Sequence, residues 1–566
     1  MTRTTLGIGL GVLLSLCTRL LGYAQDLGAI GEAKPISLSG SFSSSTIFYS
    51  SFGAKSRRDP FSYFLSGSLN VSIYGWSIPL SVNYSNQQTT FHQPFNQYGL
   101  SPTYKWATAH LGWRSMNFSS YTLAGHTFLG AGVELNPGKW RIGAMYGRLN
   151  KAVEYDTTEQ ANSLPTYERY GYGVKVGYGS ATDYVDVIVF KAEDDPNSII
   201  APPEELNVLP GENLVFGMNV AKRLLKRISF TGEWASSAYT RDVRASQASP
   251  VATGIYQKLG SWFTPRTSST YHQAYKGTLH YAGSQYGLQL GYERVAPGYQ
   301  TMGAYFFNND TENITVGGNT QLFDNKLTVA AQTGVQRNNL DGNEVNEQQR
   351  LINSFNLGYR PTQAWNFSGS YSNFTTNSRR APRLNEITND TDTLSLDFVQ
   401  ITDNANFSTS YNGKQGKNTY AVSINTSYQV ANERQGQQVT DRQSRFYNGN
   451  VAYSYRIAAS DIGLTASLNA NRNVDPDLSS TALGPAVSVN KSFYEKKLRA
   501  TWSSSYNRYL SAGTAAGDVV NTRVNMNYNL KKNSFTLSLM MLRRGAQAEA
   551  NPFTEFTGTV GYSYSF

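Results

Sequence analysis

Apolar and polar residues alternate with period two in segment after segment of this chain, the spacing of a strand with one greasy and one wet face. Near the C-terminus Val524, Met526, Tyr528 and Leu530 alternate with Arg523, Asn525, Asn527 and Asn529. The pattern recurs in Tyr420, Val422, Ile424, Tyr428 and Val430 against Ser423, Asn425, Ser427 and Gln429. It recurs again in Leu327, Val329, Ala331 and Val335 against Thr328, Gln332 and Gln336. Asparagine suits a wall that meets water on its inner side better than a strand on a dry core. No helical period of comparable length follows the first 24 residues.

Connection lengths then alternate. Short turns are predicted near 179–183, 224–226, 283–284, 323–325, 361–363, 413–417, 458–461, 495–497 and 531–533. Longer connections are predicted near 152–165, 194–211, 241–268, 297–309, 339–346, 377–397, 433–441, 475–479, 512–518 and 545–553. Outer-membrane barrels join strands by short periplasmic turns and longer external loops, and a periplasmic C-terminus puts every short turn on one side. In the N-terminal part strands are predicted at 36–50, 60–73, 76–87, 104–115, 116–124, 126–136 and 139–151, with 104–136 the least regular stretch. The predicted fold is therefore all-β: a single antiparallel transmembrane β-barrel spanning 36–566, of about 24 to 26 strands.

The first residues predict a compartment. Arg3 precedes an apolar stretch from Leu6 to Cys17, and Gly22 and Ala24 are small, which predicts a secretory signal peptide cleaved after Ala24. A short periplasmic segment, 25–35, would follow. Cys17 is the single cysteine and lies in the removed segment, so no disulfide or thiolate metal site is expected. A lipoprotein signal would need a small residue before the cysteine, where Leu16 stands.

Composition agrees with a barrel. Charged residues make up 16% of the chain, against about 25% in soluble domains, while 38 Tyr and 27 Phe supply aromatic girdles. Mean hydropathy is −0.42, as expected where half of each strand faces water. The formal net charge is +10, or +8 without Arg3 and Arg19. Its Lys and Arg are dispersed along the chain rather than gathered in a basic tract or helix, so no nucleic-acid partner is expected.

The closing segment is the most specific motif. Phe556, Gly558, Val560, Tyr562, Tyr564 and Phe566 alternate with Glu555, Thr557, Thr559, Gly561, Ser563 and Ser565. With Asp59-Pro60-Phe61, Tyr74-Gly75-Trp76, Pro297-Gly298-Tyr299 and Phe306-Phe307-Asn308-Asn309-Asp310, it makes the chain resemble the large plug-less outer-membrane barrels of Bacteroidota. The resemblance implies the fold and the outer-membrane location, with outer-membrane lipid around the wall. It also implies that Tyr562, Tyr564 and Phe566 are read by the barrel-assembly machinery. It carries no catalytic residues.

An enzyme is not expected. Of the five histidines, His110, His126, His272 and His280 sit within predicted strands as girdle or lumen residues, and His92, in a predicted external loop, has no Ser-x-Gly or carboxylate motif beside it. Neither cofactor nor metal is expected: no metal-spaced histidine pair occurs, and the acids Glu193-Asp194-Asp195 and Glu386, Asp390 and Asp392 read as solvated loops. A transporter with an N-terminal plug is not expected either, because strands begin by about Ile36. A wall this wide is then an open pore, is blocked by its own loops, or is filled by a protein partner. Loop 241–268 is the expected blocker, with Tyr256, Trp262 and Phe263 as the pore constriction. The expected function is passage of solutes or an exported polypeptide. The alternative is a non-conducting accessory barrel of a surface or secretion complex.

Overall fold

The computed structural model describes residues 36–54, 56, 58–86, 96–155, 165–248, 256, 262–305, 308–342, 349–379, 397–435, 438–475, 479–545 and 552–566. The predicted signal peptide, the segment 25–35, His92, Glu386, Asp390 and Asp392 lie outside the described residues.

The chain is a meander of strands. The first are β1 (Ile36–Phe52), β2 (Phe61–Ile73), β3 (Trp76–Ser85), β4 (Gln97–Leu100), β5 (Thr103–Tyr104), β6 (Ala107–Asn117), β7 (Ala124–Leu135), β8 (Trp140–Asn150) and β9 (Arg169–Gly179). Then come β10 (Tyr184–Asp194), β11 (Glu212–Leu225), β12 (Ile228–Thr240), β13 (Ser269–Ala282), β14 (Tyr286–Val295), β15 (Thr311–Leu322), β16 (Leu327–Arg337), β17 (Gln349–Tyr359) and β18 (Trp365–Arg379). The last are β19 (Asp397–Gln415), β20 (Asn418–Gln435), β21 (Gln438–Ile457), β22 (Ile462–Val474), β23 (Ser479–Phe493), β24 (Leu498–Ser511), β25 (Thr514–Leu530), β26 (Asn533–Arg544) and β27 (Phe553–Ser565).

Apart from β4 and β5, each strand pairs antiparallel with its neighbours along the chain, and β1 pairs with β27 from Ser41↔Ser565 to Phe52↔Thr554. That last ladder closes the wall and leaves no sheet edge exposed, which is what a bilayer demands of β-structure. Strands β4 and β5 both lie between β3 and β6 and share one position, so the closed barrel has 26 strands. Pro102, which has no N–H to donate, stands between the two halves of that position.

Two predicted boundaries are corrected here. Segment 116–124 was expected to be a strand; instead β6 runs to Asn117, and 118–123 leaves the ladder as a connection. Its residues are buried at nearly every position, which resembles a strand in sequence but reflects packing on several sides. The strand missing from the prediction is the broken pair β4 and β5. Two connections are also shorter than expected. Ala512 and Gly513, both at positive φ (48° and 83°), turn β24 tightly into β25, and β20 and β21 extend to Gln435 and from Gln438.

Ladder partners share a face, so the pairings assign the two sides of the wall. Outward stand Tyr172, Val174 and Val176 on β9, Val185 and Val187 on β10, Leu288 and Leu290 on β14, and Leu464 and Leu468 on β22, all exposed. A continuous apolar surface of this extent is a lipid-facing band rather than a soluble surface.

Candidate functional site

The lumen wall divides into two unlike parts. On β7–β14 the inward side chains are buried. Phe128, Met145, Leu149, Ile188, Phe190, Val215, Ala235, Ala274 and Val295 form one cluster with Phe118, Tyr121, Leu123, Tyr299 and Met302 from two connections, 118–123 and 296–305. A segment that touches so many successive strands at once must lie on the concave side. These two connections therefore enter the lumen.

Both are fixed by polar bonds as well as by packing. Asn219 on β11 donates to the Phe118 carbonyl at 2.8 Å, and Ser120 N–H donates to Glu233 on β12 at 3.0 Å. The Tyr121 hydroxyl donates to Glu293 on β14 at 2.7 Å. Burial, and then the Glu293 carboxylate, push the Tyr121 phenol far above its ordinary pKa, so it stays a donor. The second connection binds the first: Tyr299 and Thr301 hydroxyls donate to the carbonyls of Tyr121 and Thr122 at 2.6 and 2.8 Å. Met302 N–H donates to Asn213 at 3.0 Å.

Glycine on the wall makes the room. A Cβ on Gly143 or Gly173 would stand 3.0 or 2.9 Å from the Phe118 ring, and one on Gly217 would stand 2.7 Å from Thr122. Two bidentate ion pairs bracket the packed region, Arg141 with Asp186 and Arg169 with Asp194, each with one contact at 2.8 Å. Both carboxylates are almost fully buried.

The opposite part of the wall is wet. From β16 to β24 the inward positions are Asn356, Ser370, Asn406, Ser408, Asn425, Ser427, Asn448, Asn450, Asn469, Asn471, Ser505 and Asn507, which line a concavity of about 760 Å³. They bond to one another across strands: Ser408 to Asn425 at 2.6 Å, Asn448 to Ser427 at 2.9 Å and Asn450 to Asn469 at 2.7 Å. Serines continue the lining on β1 and β2, where Ser41 meets Ser68 and Ser43 meets Ser66. Such a surface offers donors and acceptors in equal measure and little charge.

No family model and no curated protein matches the chain. Among solved structures, the P pilus usher (PapC) translocation pore aligns over 94% of this chain and 99% of its own, at 10% identity and a TM-score of 0.36. The FrpB iron transporter from Neisseria meningitidis aligns over 93% and 82%, at 11% and 0.38. Acinetobacter baumannii OccAB2 aligns over 63% and 92%, at 9% and 0.28. Likeness this distant leaves the function to be argued from the chain's own residues.

The expected constriction is placed elsewhere. Tyr256 and Phe263 are buried, but against Leu214, Ala238, Val189, Phe216 and Tyr271, which share the outward face of β10–β13 with exposed Val187 and Met218. The Tyr256 hydroxyl donates to the Ser236 carbonyl at 2.6 Å, and Lys191 donates to the Trp262 carbonyl at 3.1 Å. Trp262 itself is exposed. The aromatic docking surface anticipated for this loop is thus on the outside of the wall, where Val189 and Phe216 offer an apolar patch and the lumen side is already filled by Phe118 and Tyr299. The sequence signal for the inward loops was Pro297-Gly298-Tyr299, read only as a family likeness, together with Phe118, Tyr121 and Leu123, read as a strand.

Tyr562, Tyr564 and Phe566 stand on the outward face beside the closing ladder. Phe566 exchanges backbone bonds with Gly40, Tyr562 donates to Asn533 at 2.8 Å, and the Tyr564 and Phe566 rings stack at 5.7 Å. Of the histidines, His110 bonds Ser101 and Glu134, and His126 stacks on Tyr305 at 4.1 Å. Asp194 is committed to Arg169 and to Gly211 N–H, and Asp195 caps Asn197 N–H. Among the described residues no three His, Cys, Asp or Glu side chains gather as a metal site.

Proposed function

We propose that this chain is an integral outer-membrane channel with a periplasmic C-terminus, whose solute path follows the amide and hydroxyl wall of β16–β24. The observation that carries the reading is that wall itself: a continuous inward face of Asn and Ser around a concavity, where a barrel with a dry interior would place aliphatic residues. The connections 118–123 and 296–305 narrow the bore from the other side, so the path is a partial lumen. The plug-less part of the family resemblance is supported by the barrel's own loops, which occupy lumen space a plug would take.

In the dry part Arg141, Arg169, Glu233 and Glu293 are paired or bonded to the loops, and the Asn and Ser wall opposite carries little charge. Neutral polar solutes suit it best. Reconstitution in a planar bilayer tests the proposal: stepwise conductance with weak ion selectivity is expected, along with swelling of proteoliposomes in neutral sugars. Silence of a fully folded barrel in both assays would favour the non-conducting accessory reading, for which the loop packing inside the lumen is the supporting observation.

A further inference from the structure

The topology gathers at one mouth the basic residues that are dispersed in sequence. Twelve short connections lie at one end of the barrel, and they hold eleven Lys or Arg against four Asp or Glu. Among the described residues, the connections at the other end hold five basic and ten acidic residues. One mouth is therefore cationic and the other anionic. Tandem pairs supply over half of the cationic set: Lys226-Arg227, Lys496-Lys497 and Lys531-Lys532.

These cations stand just beyond an aromatic girdle. Lys105 follows Tyr104, which stacks on Trp76 at 4.9 Å; Lys139 precedes Trp140, which meets Tyr178 edge-on at 5.5 Å. Lys531 and Lys532 join the outward Tyr528 to Phe535, which meets Tyr562 at 5.1 Å. Aromatic rings of this kind mark the height at which a bilayer gives way to headgroups, and turns of two to five residues cannot carry the cations far from it. Lys226, Lys496, Lys531 and Lys532 have no carboxylate within ion-pair distance among the described residues.

We infer that the short-turn mouth is a binding ring for the phosphates of anionic phospholipids, which seats the barrel in one leaflet and fixes which end faces it. A docked protein would meet a patch on one side. Here the basic residues occupy eight of the twelve connections, around the circumference, and the partner that surrounds a barrel at this height is the headgroup annulus. The inference rests on the membrane reading above.

The test uses the refolded full chain, reconstituted in an equimolar mixture of phosphatidylglycerol and phosphatidylcholine, then extracted in mild detergent and weighed with its retained lipid by native mass spectrometry. Retention of phosphatidylglycerol over phosphatidylcholine by at least about tenfold is expected, since a lysine near an anionic surface contributes up to about fivefold. Replacing Lys226, Lys496, Lys497, Lys531 and Lys532 by Gln is expected to bring retention of the two lipids close to parity while the heat-modifiable barrel persists. Gln at Lys151, Arg241 and Arg244, at the opposite mouth, is expected to leave the preference intact. Equal retention by the parent chain, or an undiminished preference in the five-lysine variant, overturns the inference. So does a parent chain that ignores lipid charge and instead binds poly-glutamate through those lysines. A chain that inserts into neither lipid overturns the channel reading as well, whereas insertion without preference overturns this inference alone.

Discussion

The parts of the wall around β7–β14 and β16–β24 share one strand pattern and one outward band, yet they solve the inward face in opposite ways. In the first, Gly143, Gly173 and Gly217 clear space, and Phe118, Thr122 and Tyr299 fill it. In the second, Asn and Ser side chains bond to their neighbours and leave the remaining capacity to water. The difference teaches that inward alternation alone does not make a pore. A polar connection beside small residues can turn a stretch of lumen into a dry core, and the ionic groups there then behave as buried ones.

Ion pairs give the largest contrast. Asp194 is 3% exposed and holds Arg169 bidentately, so Asp194→Ala strands a guanidinium and is expected to cost about 3–5 kcal/mol in urea unfolding from liposomes. Asp461, paired with Arg456 at a solvated turn, is expected to lose no more than about 1 kcal/mol on change to Asn, which keeps its left-handed backbone. Similar losses from both would erase the division between dry and wet regions.

The outward band sets the next scale. Ile424 faces lipid and its neighbour Asn425 faces the lumen. Lys at a midplane lipid-facing position costs about 2–4 kcal/mol, so Ile424→Lys is expected to destabilise the folded barrel by that amount and Asn425→Lys hardly at all. Equal refolding midpoints would remove β20 from the membrane.

Glycine substitutions sharpen the comparison within the lumen. Gly173→Val forces a branched side chain against the Phe118 ring, and overpacking of this kind costs about 1–3 kcal/mol. Because the loop can give way, the expected signature is a larger conductance together with the lost stability. Gly358 faces the wet lumen with no atom within 4 Å of a built Cβ, and Gly358→Val is expected to leave stability unchanged. If Gly173→Val changes neither property, segment 118–123 does not narrow the path.

Most of the wall was legible in the sequence because the period-two signal is local. The strand from Ser269 was predicted to its observed ends, and β11, β15, β23 and β27 to within three residues. What was not legible is where connections go. Segment 118–123 carries Phe118, Tyr121 and Leu123 with no neighbouring partner in sequence, since its contacts are with Gly143, Gly173 and Asn219, each placed there by the meander. Tyr256 and Phe263 announced that their loop must dock, but aromatic composition does not say on which side of a wall. Similarly, the lysines of the short turns looked dispersed because consecutive turns are some forty residues apart at one end, and only closure of the barrel brings them to a common rim.

The smallest expected effect tests whether the amide wall is solvated. Asn450 donates to Asn469 at 2.7 Å and accepts from Asn425 at 3.4 Å. In a dry core, removing it would orphan both partners and cost about 1–3 kcal/mol, as expected for Asn213, which is fully buried and bonds Ser237, Ala238 and Met302. On a wet wall, water takes the vacated positions, and only the small net worth of an exposed hydrogen bond is lost. Asn450→Ala is therefore expected to shift the unfolding midpoint by less than about 1 kcal/mol, with conductance rising slightly as the wall recedes by one side chain. Asn213→Ala, measured in parallel, supplies the dry reference. A loss at Asn450 as large as that at Asn213 would mean that the concavity of β16–β24 excludes water, and with it the solute path.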